Sequence, residues 1–183
     1  MKFRKTYEYL RELYEAGWHN MLWYHDAHQT VRQISREFFV DPQRVADVLA
    51  VSSPRVTVTR NVRATRFYFE HGHLPHDLTI STHLAMLHYE KTGEIRGPKT
   101  GAFSRCLMLD EDAVVIDVWM CRALGMRHAK AGTKSGYEAA VYRVRKLADS
   151  VGVEPARVQA AVWAGAYGRH YKNPTIPRYS EVA

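Results

Sequence analysis

The sequence predicts an all-α protein, and three observations carry that prediction. Apolar residues recur three and four positions apart in one segment after another, the spacing of a single helix face. Helix starts are marked, as at Asp41-Pro42 and Glu154-Pro155, where an acidic residue precedes a proline able to open the first turn. Helix stops are marked too, by Gly17, Gly93, Gly125 and Gly152.

The chain has 183 residues, enough for one domain over its whole length or for two tightly packed helical lobes. Apolar residues make up 46% of it, which suffices for a core, and the net charge of +7 favours a polyanionic partner. Cys106 and Cys121 fall on expected buried helix faces and read as reduced thiols rather than a disulfide framework. The N-terminal stretch is charged and aromatic, unlike a signal peptide, and no segment is apolar enough to span a bilayer. The expectation is a cytoplasmic protein with no membrane association.

Residues 4–16 read as a first helix, with Tyr7, Leu10, Leu13 and Tyr14 on one side and Gly17 closing it. Residues 18–39 continue as one or two helices with Trp23, Val31, Ile34 and Phe38 toward the core. His25 and His28 lie three apart on this helix without a third ligand, so surface or structural histidines are expected there. Asp41-Pro42 opens a helix carrying Val45, Val48 and Leu49, and Ser52-Ser53-Pro54-Arg55 breaks it. Residues 57–70 form the next helix, with Val58, Val62 and Phe69 inward. Arg60, Arg63 and Arg66 recur along it as a basic surface whose guanidinium forks suit phosphate oxygens. The loop His71 to His76 matches a zinc pattern only loosely, and neither metal nor cofactor is expected. Thr79 or Ser81 caps a helix over residues 80–91, where Leu84, Leu87 and His88 repeat.

The central stretch runs from Glu94 to Leu124. Gly97-Pro98 makes a tight turn, and Lys99 follows in the first turn of a helix with Phe103, Cys106 and Leu107 on its apolar face. An acidic loop, a buried run Ala113-Val114-Val115-Ile116, and Asp117 at the start of another helix complete it. Beyond Gly125 a basic, glycine-rich loop leads to a helix over residues 137–150, with Ala140, Val144 and Leu147 inward and Arg143, Arg145 and Lys146 largely outward. A last helix runs from Glu154-Pro155 to Tyr167, followed by an extended tail, NPTIPRYSEVA.

The turn with its lysine, together with the run Ile116-Asp117-Val118-Trp119-Met120, resembles the helix-hairpin-helix DNA glycosylase superfamily, whose nearest members are endonuclease III and 8-oxoguanine DNA glycosylase. The resemblance covers about a third of the chain. It implies a helix-hairpin-helix glycosylase-like bundle acting as a monomer on double-stranded DNA in a bacterial or phage setting, associated with the nucleoid. By the same resemblance, Lys99 is the nucleophile and Asp117 the second catalytic group. Their separation of eighteen positions (117 − 99) suits the family. Arg96 and Gly97 would meet the DNA backbone, as would Arg60, Arg63 and Arg66. Pro54 or Arg55 would fill the gap left by an extruded base, and Gln159 and Trp119 would line the base pocket. The implied activity is a DNA glycosylase, with AP lyase activity through a lysine Schiff base. Two other readings stay open on these residues: a related phage-type enzyme that modifies bases, and a non-catalytic DNA-binding protein.

The sequence also departs from the family. Ile95 stands where the hairpin has its first glycine, the stretch from Asn61 to the hairpin is short, and two cysteines cannot hold the four-cysteine iron–sulfur cluster of many endonuclease III relatives.

Overall fold

A computed structural model describes residues 3–172 and 175–182. The described residues contain ten α-helices and one 3-10 turn, and no strand. In chain order the helices are α1 Tyr7–Gly17, α2 Trp23–Phe38, α3 Pro42–Ser52, α4 Val58–His71, α5 Ile80–Thr92, α6 Pro98–Leu107, α7 Val118–Leu124, α8 His128–Ala131, α9 Lys134–Val151 and α10 Pro155–Tyr171, with the 3-10 turn at Trp18–Asn20. The chain divides into two compact units. The first takes Met1–Tyr24 and Asp110–Ile176; the second takes His25–Leu109 and Pro177–Ala183.

In the first unit α1 packs along α10, and α7 and α9 pack on α10 as well. Leu10, Leu13, Ile116, Met120, Leu124, Val144, Leu147, Val158 and Val162 are buried in its core. The α1–α10 approach depends on the absence of side chains. A Cβ on Gly17 would lie 2.1 Å from the carbonyl oxygen of Ala161, and one on Gly165 would lie 2.1 Å from that of Leu13. Thr6 begins α1, its hydroxyl accepting the Tyr9 N–H at 3.2 Å, so the helix starts at Tyr7 rather than at residue 4. Arg143, expected outward, instead covers the rings of Phe3 and Tyr7 and donates to the Lys5 carbonyl. Helix α9 starts at Lys134, three residues earlier than expected, because the Thr133 side chain caps it. Helix α10 runs four residues beyond Tyr167.

In the second unit α3 packs against α4, α5 and α6. Val45, Val48 and Leu49 are fully buried, as their spacing predicts, and so are Val31 and Ile34 of α2. On α4, Val62 is buried while Val58 and Phe69 are half-buried. The same inward face carries polar groups that spacing does not reveal. Asn61 donates to the Leu49 carbonyl at 3.1 Å and to the Ser52 hydroxyl at 2.8 Å, and its oxygen accepts the Tyr179 hydroxyl at 2.6 Å. Tyr179 belongs to the C-terminal tail, whose residues Tyr179 and Val182 are buried. The tail positions Asn173, Pro174 and Ala183 lie outside the described residues. On α5 the packed face is Thr82 and Met86, whereas Leu84 and Leu87 are 58% and 60% exposed.

Candidate functional site

The turn before Lys99 has the backbone that its glycine predicts. Helix α5 ends at Gly93, which adopts φ +71° and returns its N–H to the Tyr89 carbonyl. Four residues later Gly97 adopts φ +86°, a conformation open to glycine and costly for a residue with a Cβ. Pro98 is then the first helical residue of α6, and Lys99 the second. Ile95, in place of a glycine, is half-buried and packs against the core of the second unit. Lys99 is half-buried, while Arg96 and Gly97 are exposed.

Helices α5 and α6 are held to α3 by one carboxylate. Asp47 accepts from Gln43 at 2.8 Å, from the Ser104 hydroxyl, and from the Tyr89 hydroxyl at 2.9 Å. Tyr89 lies on α5 and Ser104 on α6, so Asp47 fixes the helices on both sides of the turn. Burial, reinforced by the hydrogen bond and charge of Asp47, pushes the Tyr89 hydroxyl above the usual phenol range.

Asp117 lies in the first unit and caps α7. One carboxylate oxygen accepts the Met120 N–H at 2.8 Å, and the other accepts the Trp163 indole N–H at 2.9 Å. The run leading to it, Ala113 to Ile116, is buried and lies outside any helix. It is pinned by Tyr137, whose hydroxyl donates to the Val114 carbonyl at 2.8 Å and accepts the Ile116 N–H at 3.4 Å. Asp117 is therefore a fixed, fully oriented carboxylate at a helix N-terminus, where the dipole favours negative charge. Burial, followed by the nearby Asp117, pushes the Cys121 thiol up to about 11. Trp163 and Tyr137, which set this geometry, escape sequence reasoning: they lie 46 and 21 to 23 positions from their partners.

An aromatic group surrounds the same helix end. Trp163 stacks on Tyr167 with centroids 5.3 Å apart, and Trp119 meets Tyr167, His170 and Tyr171 edge-on or tilted. Arg122 lies 4.3 Å over the Trp119 ring. Trp119 is half-buried in this group. Gln159 is only 2% exposed, and its amide oxygen accepts the Tyr24 hydroxyl at 2.6 Å.

The remaining expected positions belong to the second unit. Pro54 and Arg55 follow α3, with Pro54 half-buried and Arg55 exposed at φ +63°, a left-handed conformation uncommon for arginine. Arg60 donates to the Asp77 carboxylate at 2.7 Å, and Arg66 donates to Glu37 at 3.1 Å. These two guanidiniums are thus engaged by acids of their own unit, while Arg63 is exposed. His28 places Nδ1 2.8 Å from the Leu107 carbonyl, and His71 and His73 place Nδ1 against the Phe67 and Leu74 carbonyls. Among the described residues no group of three or more His, Cys, Asp or Glu side chains is placed to hold a metal ion.

Fold and side-chain geometry define an all-helical protein with an oriented aspartate at one helix start and a lysine behind a glycine–proline turn at another. Among the described residues no helix is long and apolar enough to cross a membrane. The chain belongs to a family of unknown function, DUF7178, whose sequence model matches residues 14–170. No curated protein and no solved structure matches it.

Proposed function

We propose that this protein is a DNA glycosylase of the helix-hairpin-helix type, with AP lyase activity, in which Lys99 is the nucleophile and Asp117 the charge-stabilising carboxylate. The observation that carries the reading is the local geometry of Asp117: it ends a buried run, opens a helix, and has both oxygens held by donors. The helix–turn–helix over α5 and α6, with Lys99 in the first turn after Gly97, supports it from the other motif.

The chemistry follows from what glycosidic cleavage requires. The target base leaves the stack, at a cost of about a few kcal/mol. As the bond from base to C1′ breaks, its electrons go to the base and positive charge grows on the sugar. The Asp117 carboxylate stabilises that charge, and the attacking amine gives up its proton to water. The neutral Lys99 amine attacks C1′, the sugar ring opens, and a Schiff base forms. Loss of a C2′ proton then drives β-elimination of the 3′ phosphate. Arg96 and Gly97 at the turn, with exposed Arg63 and Arg55, supply contacts to the duplex under this reading.

Borohydride trapping on duplex DNA with an abasic site tests the proposal. The wild-type protein should give a covalent band that is absent in Lys99→Gln. Asp117→Asn should lower base release about 100-fold. Asparagine is itself a good N-cap, so α7 should persist in that variant while the negative charge is lost. A band that survives in Lys99→Gln would remove the lysine from the mechanism. If the wild-type protein neither forms a band nor releases any base from a panel of modified duplexes, the enzyme reading falls and a DNA-binding scaffold takes its place.

A further inference from the structure

We infer that the cleft between Arg4 and the start of α9 is a second contact for nucleic acid, taking the phosphodiester backbone away from the reacting nucleotide. The inference rests on the nucleic-acid part of the proposed function and is independent of any chemistry at Lys99 or Asp117.

The cleft has a volume of about 760 Å³ and lies wholly within the first unit. Arg4, Arg127 and Lys130 line it together with the hydroxyl residues Thr133 and Ser135, and among the described residues no acid does. The local sequence has the same bias. From Val118 to Tyr137 there is no Asp or Glu, while Arg122, Arg127, Lys130 and Lys134 all fall in that interval. Four arginines elsewhere pair with acids: Arg60 with Asp77, Arg66 with Glu37, Arg157 with Glu111 and Arg169 with Glu12. A cation cluster lined by no acid keeps its field for an outside anion.

The backbone under these cations is fixed. Arg4 donates its N–H to the Gly125 carbonyl at 3.2 Å, and a Cβ on Gly125 would fall 2.8 Å from the Lys5 nitrogen, so glycine is what lets the N-terminal segment reach this place. The Lys130 carbonyl accepts the Thr133 hydroxyl at 2.8 Å, and a Cβ on Gly136 would sit 2.0 Å from the same oxygen. The main chain at Lys130 is thereby tied to the head of α9 while its side chain stays exposed. Among the described residues no aromatic side chain lines the cleft, so it offers no platform on which a base would stack. Cations and hydroxyls without a base platform suit backbone phosphates, which position a duplex without reading its sequence.

The test compares wild-type protein with Arg127→Gln/Lys130→Gln and with Lys130→Glu in binding to labelled duplex DNA across a salt series. The slope of log affinity against log salt should become shallower by about two in the double variant, roughly one per lost phosphate contact, with affinity at low salt down about tenfold. Lys130→Glu should weaken binding further than loss of the charge alone. Arg11→Gln, on a surface shared with Glu8, Glu12 and Glu15, should leave the slope unchanged. These side chains are exposed, so melting temperatures should match the wild type. A wild-type slope in the double variant overturns the assignment, as does absence of DNA binding by the wild-type protein. An unchanged DNA slope with lost binding of inorganic phosphate or ADP also overturns it, and reassigns the cleft to a free anion. Borohydride trapping of the same samples separates the two proposals. A reduced slope without a Lys99 adduct keeps the cleft and removes the chemistry; an adduct with an unchanged slope does the reverse.

Discussion

In the first unit, α1 and α10 approach until the main chains nearly touch, with Gly17 and Gly165 each facing a carbonyl oxygen of the other helix. In the second, α3 and α4 are joined instead by a buried asparagine that serves the Leu49 carbonyl, the Ser52 hydroxyl and the Tyr179 hydroxyl at once. The α1–α10 crossing is specified by steric fit, the α3–α4 pairing by directional hydrogen bonds. The two kinds of specification tolerate different changes. A close crossing rejects any added atom, whatever its polarity, because packed backbone cannot move aside. A buried polar hub accepts small changes of volume but not the loss of a partner, since the groups left behind cannot recover water. The two proposed catalytic residues inherit this difference. Asp117 is placed within the sterically fixed unit. Lys99 sits on a helix held through Asp47, a polar hub of the second unit.

The largest effect should come from adding a side chain at the crossing. In Gly165→Ala the new methyl would lie 2.1 Å from the Leu13 oxygen and 2.9 Å from its carbonyl carbon, both main-chain atoms. Relief requires α1 to shift bodily, and the expected loss is about 3 kcal/mol, the upper part of the range for overpacking. Urea denaturation read by circular dichroism measures it. A loss below about 1 kcal/mol would mean that the crossing is soft and would erase the contrast between the units. Asn61→Ala comes next. It strips donors from the Leu49 carbonyl and the Ser52 hydroxyl and an acceptor from Tyr179, and the expected cost is about 2 kcal/mol. The isosteric Asn61→Asp should not rescue it, because a carboxylate cannot donate to the Leu49 carbonyl and its charge is buried. A stable Asn61→Asp protein would show that the hub is not what fixes α3 to α4.

The parts of this molecule legible in the sequence are those whose cause lies within a few residues. Asp41-Pro42, Asp117 and Glu154-Pro155 start helices, and Gly93, Gly125 and Gly152 end them in left-handed backbone, because cap chemistry is local. The turn at Gly97 and the placement of Lys99 just after it are legible for the same reason. Periodicity finds faces but does not say which face turns inward. On α5 the leucines Leu84 and Leu87 are exposed while Thr82 and Met86 are buried. Pairing between distant segments is illegible altogether. Arg60 and Arg66 form a row that suits phosphate, yet Asp77 and Glu37 engage them from 17 and 29 positions away. Gln159 is polar on an apolar helix, which marks it for attention, but its partner Tyr24 lies 135 positions off. The candidate site is therefore readable as two motifs, and the contacts that orient them are not.

A matched pair of substitutions sharpens the comparison at the smallest scale, because each removes one buried hydroxyl from one unit. Tyr179→Phe takes a donor from the Asn61 oxygen, leaving that side-chain amide to turn or to stay unpaired. Tyr137→Phe takes a donor from the Val114 carbonyl and an acceptor from the Ile116 N–H, both main-chain groups that cannot turn. Each should cost about 1 kcal/mol in urea denaturation, with Tyr137→Phe the larger because two fixed groups lose their partner. The two should also differ in what else they change. The Tyr137 hydroxyl pins the run that delivers Asp117, so under the proposed glycosylase function its loss should lower base release along with stability, and the drop should appear in kcat more than in KM. Tyr179→Phe should lower stability alone. Equal activity in the two variants would show that the capping bond to Met120 and the indole of Trp163 hold Asp117 without help from the run before it.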